Sequence, residues 1–262
     1  MALCGECGVG LAHAGTVSGV VSARRDRMER AGLSGITIGL QRRFVDWLIA
    51  RSLRGHFRAV YARGALPDEQ RPLILYANHH YWWDGYLAYW LLRSWGRSIV
   101  VWMEAYRRFP PFGAVGAMPF PADNAITRAR TVRRTLEALH SPQTALLLFP
   151  EGKLHGDTER ILPFQRSLHW LACQVSEAQV LPMAIYIEPS YHQYPRAYLG
   201  VGAPLQGDLK DTESWLCAAA ETLQAELAVL RADARGAVAE PEIVAQGYRV
   251  LLRGRLSVSE RF

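Results

Sequence analysis

Two polar clusters in the sequence each follow an apolar run that is typical of a buried strand. In the first, residues 72–76 lead into Asn78-His79, and Asp84 follows five residues after the histidine. The pattern predicts that His79 lies where a strand ends and Asp84 where the next helix begins. Across such a turn a carboxylate can hold one ring nitrogen and leave the other free to accept a proton. His79 and Asp84 are therefore candidate catalytic residues, with His79 as a general base.

A structural role for the same residues stays open at this point. Asp84 stands before Gly85 and an apolar run, where it would also serve as a helix N-cap, and Asn78 is a common turn residue.

The second cluster is Phe149-Pro150-Glu151-Gly152-Lys153, which follows the apolar residues 145–148. Pro150 ends the strand, and Gly152 permits a sharp turn or a close approach to a ligand. Because ligands bind at the carboxyl ends of strands in open α/β sheets, Glu151 is expected at the same sheet edge as His79. The alternative is a surface carboxylate in a loop.

Together these blocks resemble the glycerolipid acyltransferase family, which includes the 1-acylglycerol-3-phosphate acyltransferases. The family is marked by Asn-His, four residues and Asp, and about seventy residues later by Phe-Pro-Glu-Gly. A glycine-led block, here residues 116–120, lies between them, and a β-run with an internal proline, here residues 180–185, follows. The resemblance covers roughly residues 57–205.

The resemblance implies direct transfer of a fatty acyl group from a thioester to a hydroxyl, without a covalent acyl-enzyme. His79 would be the base and Asp84 would orient it. The donor would be acyl-CoA or acyl carrier protein, used as a co-substrate, with no further cofactor and no metal. The acceptor would be a lysophospholipid or a related lipid alcohol. The candidate substrate-binding residues are Asn78, Gly116, Arg128, Glu151, Gly152 and Lys153.

The sequence also departs from the family pattern at the positions that usually hold the acceptor phosphate. Lys153-Leu154 stands where Thr-Arg is usual, and Ala122 stands where the family has an arginine. Arg128 or Arg130 from the following helix, and Lys153, are the cations that would replace them. The acceptor therefore stays open, from a lysolipid with another headgroup to a glycosylated isoprenoid.

Apolar runs of strand length alternate with helical patterns along the middle of the chain, which predicts a mixed, largely parallel central sheet with helices on both faces. The predicted strands are residues 57–61, 73–77, 99–103, 145–149, 180–187 and 197–201. The predicted helices are residues 83–95, 125–140, 165–175, 212–232 and 241–252.

Three segments are predicted: a weakly ordered tail over residues 1–34, an amphipathic helix over 35–56, and an acyltransferase domain over 57–262. Ile36, Leu40, Phe44, Trp47 and Leu48 recur at helical spacing among arginines. This stripe would lie in a membrane interface or pack on the domain core, and the sequence does not decide between them. Without a run of about 18 apolar residues, we expect a peripheral protein on the cytoplasmic face of a membrane.

The chain is basic, and its charge is compatible with several kinds of partner. The net charge is +6, and 28 of the 30 basic residues are arginines. Nucleic acid, an anionic membrane and a phosphorylated small molecule all suit this charge. No nucleic-acid motif is present, so we expect membrane and lipid partners. Neither Cys4-x-x-Cys7 nor the group of His79, His80, Asp84 and His155 is expected to bind a metal. The competing functions are a silent lipid-surface binding module and a hydrolase.

Overall fold

The computed structural model describes residues 39–64, 66–189, 191–237 and 239–260. The predicted tail over residues 1–34 and Ile36 lie outside the described residues. The chain divides into a unit of residues 1–43 and a unit of residues 44–262. The second unit contains the sheet and the candidate site.

One eight-stranded sheet forms the centre of the second unit, in the order β4-β3-β5-β2-β6-β7-β1-β8. Strands β4, β3, β5, β2 and β6 are mutually parallel, whereas β7 is antiparallel to β6, and β8 is antiparallel to β1. The carboxyl ends of five neighbouring strands therefore meet at one edge. The strands are β1 Ala59–Arg63, β2 Leu73–Ala77, β3 Ser98–Met103, β4 Ala117–Pro119, β5 Thr144–Leu148, β6 Gln179–Glu188, β7 Arg196–Val201 and β8 Arg249–Arg253.

Helices cover both faces of this sheet because its central strands are apolar on both sides. Leu73 and Leu75 of β2 pack in a core with α1 and α2. Ile74 and Tyr76, which point to the opposite face, pack in a second core with α4, α5 and α6. The helices are α1 at residues 39–56, α2 Asp84–Ser94, α3 Ala125–Ala138, α4 Ser167–Gln174, α5 Thr212–Gly236 and α6 Glu240–Ala245.

Helix α1 buries a different stripe from the one that the sequence singled out. Val45, Ile49 and Leu53 are at most 2% exposed and belong to the first core. Phe44 and Trp47, in contrast, are 54% and 55% exposed. The helix therefore packs on the domain through one apolar face and leaves aromatic side chains in solvent. None of the helices in the described residues has the length and apolar character needed to cross a bilayer.

The mixed sheet with helices on both faces is confirmed, and all but the last of the predicted elements occur with end shifts of a few residues. The predicted helix over residues 241–252 is wrong in its second half. Helix α6 ends at Ala245, Gly247 turns with a φ of 88°, and the chain continues as β8. The sequence analysis also missed β4, which has only three residues.

Candidate active site

The two polar clusters come together because β2 and β5 are adjacent and parallel. Tyr76 is paired with Leu148, so the segments that follow each strand leave the sheet side by side. The main-chain N–H of His155 donates to the carbonyl of His79 at 3.0 Å. The loop after β5 is thereby attached to the turn after β2.

His79 is held by Asp84 as the spacing predicted. The Nδ1 atom of His79 lies 3.1 Å from Oδ2 of Asp84, and the Tyr81 N–H donates to the same oxygen at 2.9 Å. The helix N-cap is Trp83, so Asp84 is the first residue within α2 and its carboxylate is directed back to the turn. Burial raises the pKa of Asp84, and the hydrogen bond with His79 opposes that shift. The arrangement leaves Nε2 of His79 as the nitrogen that can take a proton.

Phe149 fixes the plane of the His79 ring. The two ring centroids are 4.3 Å apart, and the planes are inclined by only 23°. Since Phe149 begins the second motif, this stacking joins the two clusters through side chains as well as through the main chain.

Glu151 lies inside the protein. One carboxylate oxygen accepts from the main-chain N–H of His79 at 2.8 Å. The other accepts from Nε2 of His155 at 2.6 Å and from the N–H of Leu162 at 2.7 Å. The carboxylate therefore holds His79 and the loop over residues 152–162 together, and its predicted role in substrate binding stays a prediction.

Asn78 and Gly116, two further predicted site residues, do not line the cavities and instead hold the main chain near the site. The amide of Asn78, which is fully buried, donates to the carbonyl of Ile185 at 2.9 Å and accepts from its N–H at 2.8 Å. Gly116 has a φ of 97°, and a Cβ there would lie 1.8 Å from the carbonyl oxygen of Ile99. A side chain at position 116 would therefore displace the main chain of β3.

An apolar cavity of about 350 Å³ opens on one side of His79. Its walls come from α1, α2, β3 and the turns before β4 and after β5. Most of the lining side chains are aliphatic or aromatic, and Trp82, which is 62% exposed, stands among them. The principal lining residues are Ile49, Tyr86, Val101, Phe112, Val115 and Phe149.

A second cavity of about 910 Å³ also borders His79 and has a different character. Arg128, Lys153 and Arg166 all line it, together with Gly152. Nη1 of Arg128 donates to the carbonyl of Pro121 at 2.9 Å and to that of Ala122. The two cavities share His79, Trp102, Glu104, Phe149 and Leu154. His79 therefore lies at the boundary between an apolar and a cationic space.

The structure thus separates the eight predicted site residues into two groups. His79, Arg128, Gly152 and Lys153 line the cavities. The other four do not line the cavities and instead hold the main chain or the imidazole; they are Asn78, Asp84, Gly116 and Glu151. Sequence reasoning missed Arg166 as a cavity residue and the contact between His155 and Glu151. A histidine four residues after the glutamate is the signal that was available for that contact.

This geometry defines an α/β domain with a histidine–carboxylate pair between two substrate-sized cavities. Residues 58–186 match the family model described as Acyltransferase, and the match spans β1 to most of β6 with both motifs. Residues 58–186 therefore form an acyltransferase domain of the family that includes the glycerolipid acyltransferases. Comparison with curated proteins found no significant match.

Proposed function

We propose that this protein transfers a fatty acyl group from acyl-CoA or acyl carrier protein to the hydroxyl of a lysophospholipid or a related lipid alcohol. The observation that carries the proposal is the position of His79 where the apolar and cationic cavities meet. A base at that boundary has access to both an acyl chain and a polar acceptor. The family match supports acyl transfer in general.

The chemistry follows from the His79–Asp84 pair. Nε2 of His79 removes the proton from the acceptor hydroxyl while the oxygen attacks the thioester carbonyl. The new ester bond forms as the carbon–sulfur bond breaks, and the imidazolium then protonates the departing thiolate. Asp84 stabilises the imidazolium through Nδ1 at 3.1 Å. No covalent intermediate on the protein is needed.

The apolar cavity is suited to the acyl chain. Its aliphatic and aromatic walls exclude water from the chain, and burial of each methylene contributes about 0.8 kcal/mol. His79 and Phe149 line both this cavity and the cationic one. A chain that lies there would present its thioester carbonyl next to the base.

The cationic cavity is suited to an anionic headgroup or to the phosphates of the donor. Arg128, Lys153 and Arg166 supply positive charge there although the family's usual arginine position is Ala122. Within the described residues, the ion pairs include none with Arg128 or Lys153, whereas Arg166 lies 3.7 Å from the exposed Glu213. Arg128 and Lys153 therefore have charge available for a substrate.

We further propose that the protein binds peripherally to the cytoplasmic face of a membrane. Phe44 and Trp47 of α1 are stacked and more than half exposed, and the guanidinium of Arg51 lies 5.6 Å from the Trp47 ring. Exposed aromatic residues beside arginine favour the headgroup region of an anionic bilayer. Trp82 and Leu154, both exposed, line the mouth of the apolar cavity.

The deciding experiment measures transfer with a panel of acceptors. Purified protein is incubated with labelled acyl-CoA or acyl carrier protein and with lysolipids and lipid alcohols of different headgroups, and the product is identified by mass spectrometry. We expect an ester product with wild type and none with His79→Ala. Release of free fatty acid without an acceptor would instead identify a hydrolase. Vesicle binding without any turnover would identify a silent lipid-binding module.

A further inference from the structure

The side chain of Asn78 has only one possible orientation. Its oxygen accepts from the N–H of Ile185 at 2.8 Å and its nitrogen donates to the carbonyl of Ile185 at 2.9 Å. An exchange of the amide oxygen and nitrogen would place two acceptors and two donors face to face. The second hydrogen of the amide nitrogen is therefore directed to the next neighbour, Nδ1 of His80, at 3.2 Å.

This contact fixes the tautomer of His80. Because the amide of Asn78 donates, Nδ1 of His80 must accept, and the proton of the neutral ring is on Nε2. His80 is only 4% exposed, and burial lowers its pKa, which favours the neutral ring. Glu151, the backbone of Arg160 and Asp157 oppose this shift of the pKa, and His155 adds to it.

His155 presents the complementary nitrogen. Its Nε2 donates to the buried carboxylate of Glu151 at 2.6 Å, so Nδ1 of the neutral ring carries a lone pair. The rings of His80 and His155 are 4.7 Å apart between centroids. Within the described part of the chain, Nε2 of His80 and Nδ1 of His155 are both buried, and neither makes a hydrogen bond. A proton on the first atom and a lone pair on the second make the two atoms complementary.

We propose that His80 and His155 form a neutral two-imidazole chain that positions His79. Asn78 contacts His80, and His155 contacts Glu151. The proposed link between them is a hydrogen bond from Nε2–H of His80 to Nδ1 of His155. Glu151 in turn holds the N–H of His79, and the N–H of His155 holds its carbonyl. His80 and His155 are positioning residues, because neither lines the two cavities beside His79. The proposal deepens the acyl-transfer function and rests on it for its kinetic consequences.

A metal site in the same cluster is the competing interpretation. His80, Glu151 and His155 each offer one ligand atom, and these three atoms lie within 4.8 Å of one another. However, the contact with Asn78 leaves the proton on Nε2 of His80, so that atom has no lone pair for an ion. The 2.6 Å between Nε2 of His155 and Glu151 is also shorter than the roughly 3.3 Å between tetrahedral ligands of zinc. The contacts therefore favour the hydrogen-bonded chain.

The first test reads the protonation of the rings without any assay of activity. The ¹⁵N shifts of the imidazoles are recorded on the full chain at pH 7.5, with signals assigned from single histidine variants, and bound metal is measured by mass spectrometry. We expect His80 and His155 to be neutral with the proton on Nε2, and no stoichiometric metal. A proton on Nδ1 of His80, a doubly protonated His155, or about one tightly bound ion per chain would each overturn the proposal.

The second test measures whether the chain positions the base. His155→Leu removes the donor to Glu151, whereas His155→Gln keeps an N–H near the position of Nε2. We expect the leucine variant to lower kcat by roughly 10-fold to 100-fold with KM nearly unchanged, since misplacement of a catalytic group has effects of this size. The glutamine variant should recover most of kcat. The exposed His140→Leu serves as the matched control.

Equal losses in the leucine and glutamine variants, or no loss in either, would exclude the positioning role. If the leucine variant does not fold, the glutamine variant and the wild-type ¹⁵N shifts still decide the question. A wild type that transfers no acyl group would refute the proposed function. The ¹⁵N shifts would still test the protonation of the rings independently.

Discussion

The chain contains two histidine–carboxylate pairs a few ångströms apart, and they have different surroundings. His79 and Asp84 are separated by 3.1 Å, and His155 and Glu151 by 2.6 Å. Both carboxylates are fully buried, but the His79 side chain is 25% exposed and that of His155 is 12% exposed. The chemical groups alone do not tell which pair reacts. The difference is that the His79 ring borders two cavities, while the His155 ring faces His80.

The carboxylates differ in the same way. Asp84 accepts from the imidazole and from the N–H of Tyr81, which fixes one ring. Glu151 accepts from the main chain of His79 and of Leu162 as well as from His155, which fixes two loops. We therefore expect loss of Asp84 to affect mainly the chemistry, and loss of Glu151 to affect both the chemistry and the folding.

The largest expected effect is that of Asp84→Asn. The amide would keep the shape but favour the wrong tautomer of His79, and a comparable change in a Ser-His-Asp enzyme lowers kcat by about 10⁴-fold. We expect a loss of about 10³-fold to 10⁴-fold in kcat, measured as ester formation from labelled acyl-CoA. The exposed Asp208→Asn is the control. An active Asp84→Asn variant would remove the distinction between the two pairs.

A smaller, mixed effect is expected for Glu151→Gln. The variant keeps one acceptor but weakens the hold on His79, on Leu162 or on both, so kcat should fall by roughly 10-fold to 100-fold. Because a buried donor would lose its partner, the free energy of unfolding should also fall by about 1–3 kcal/mol. Urea denaturation measures the second quantity. A kinetic loss with unchanged stability would place Glu151 in the substrate site, as the sequence analysis predicted.

Helix α1 has an exposed aromatic face and a buried apolar face, and the two are expected to have different roles. Phe44→Ser and Trp47→Ser should each weaken co-sedimentation with anionic vesicles by about 10-fold, because each removes apolar area from the bilayer contact. The exposed Val229→Ser on α5 is the control. Deletion of residues 1–54 is a poor test, since it also removes Val45, Ile49 and Leu53 from the core. Unchanged vesicle binding in both variants would reject the membrane role of these side chains.

A modest effect is expected for the cations of the second cavity. Lys153→Met and Arg166→Met should each raise KM for an anionic acceptor by up to about 5-fold and leave kcat unchanged, since exposed charge pairs contribute up to about 1 kcal/mol. The effect should shrink at high salt. Lys210→Met, on the only other lysine, is the matched control. Equal changes in KM for a neutral acceptor would show that these cations do not recognise the negative charge of the acceptor.

The pairing of His79 with Asp84 was accessible from the sequence because all its determinants are local. An apolar strand, a short turn and a helix start place the two residues within five positions. The sheet edge shared by the two motifs was accessible too, because parallel strands end together. The orientation of Glu151 was not, since it depends on the N–H groups of His79 and Leu162, which come from separate loops. The exposed face of α1 also required the structure, because both of its faces carry apolar residues.

The smallest expected effect concerns stability at Asp84 and its dependence on pH. Burial raises the pKa of Asp84, so the folded protein binds this proton more readily than the unfolded chain does. Wild-type stability should therefore decrease as the pH rises through the raised pKa, whereas Asp84→Asn lacks this contribution. Urea unfolding at a series of pH values from about 4 to 8 should show that wild type loses stability relative to the variant as the pH rises, with Asp208→Asn as the control. A relative gain at pH 8 would mean that the hydrogen bonds from His79 and Tyr81 outweigh the cost of burying the charge.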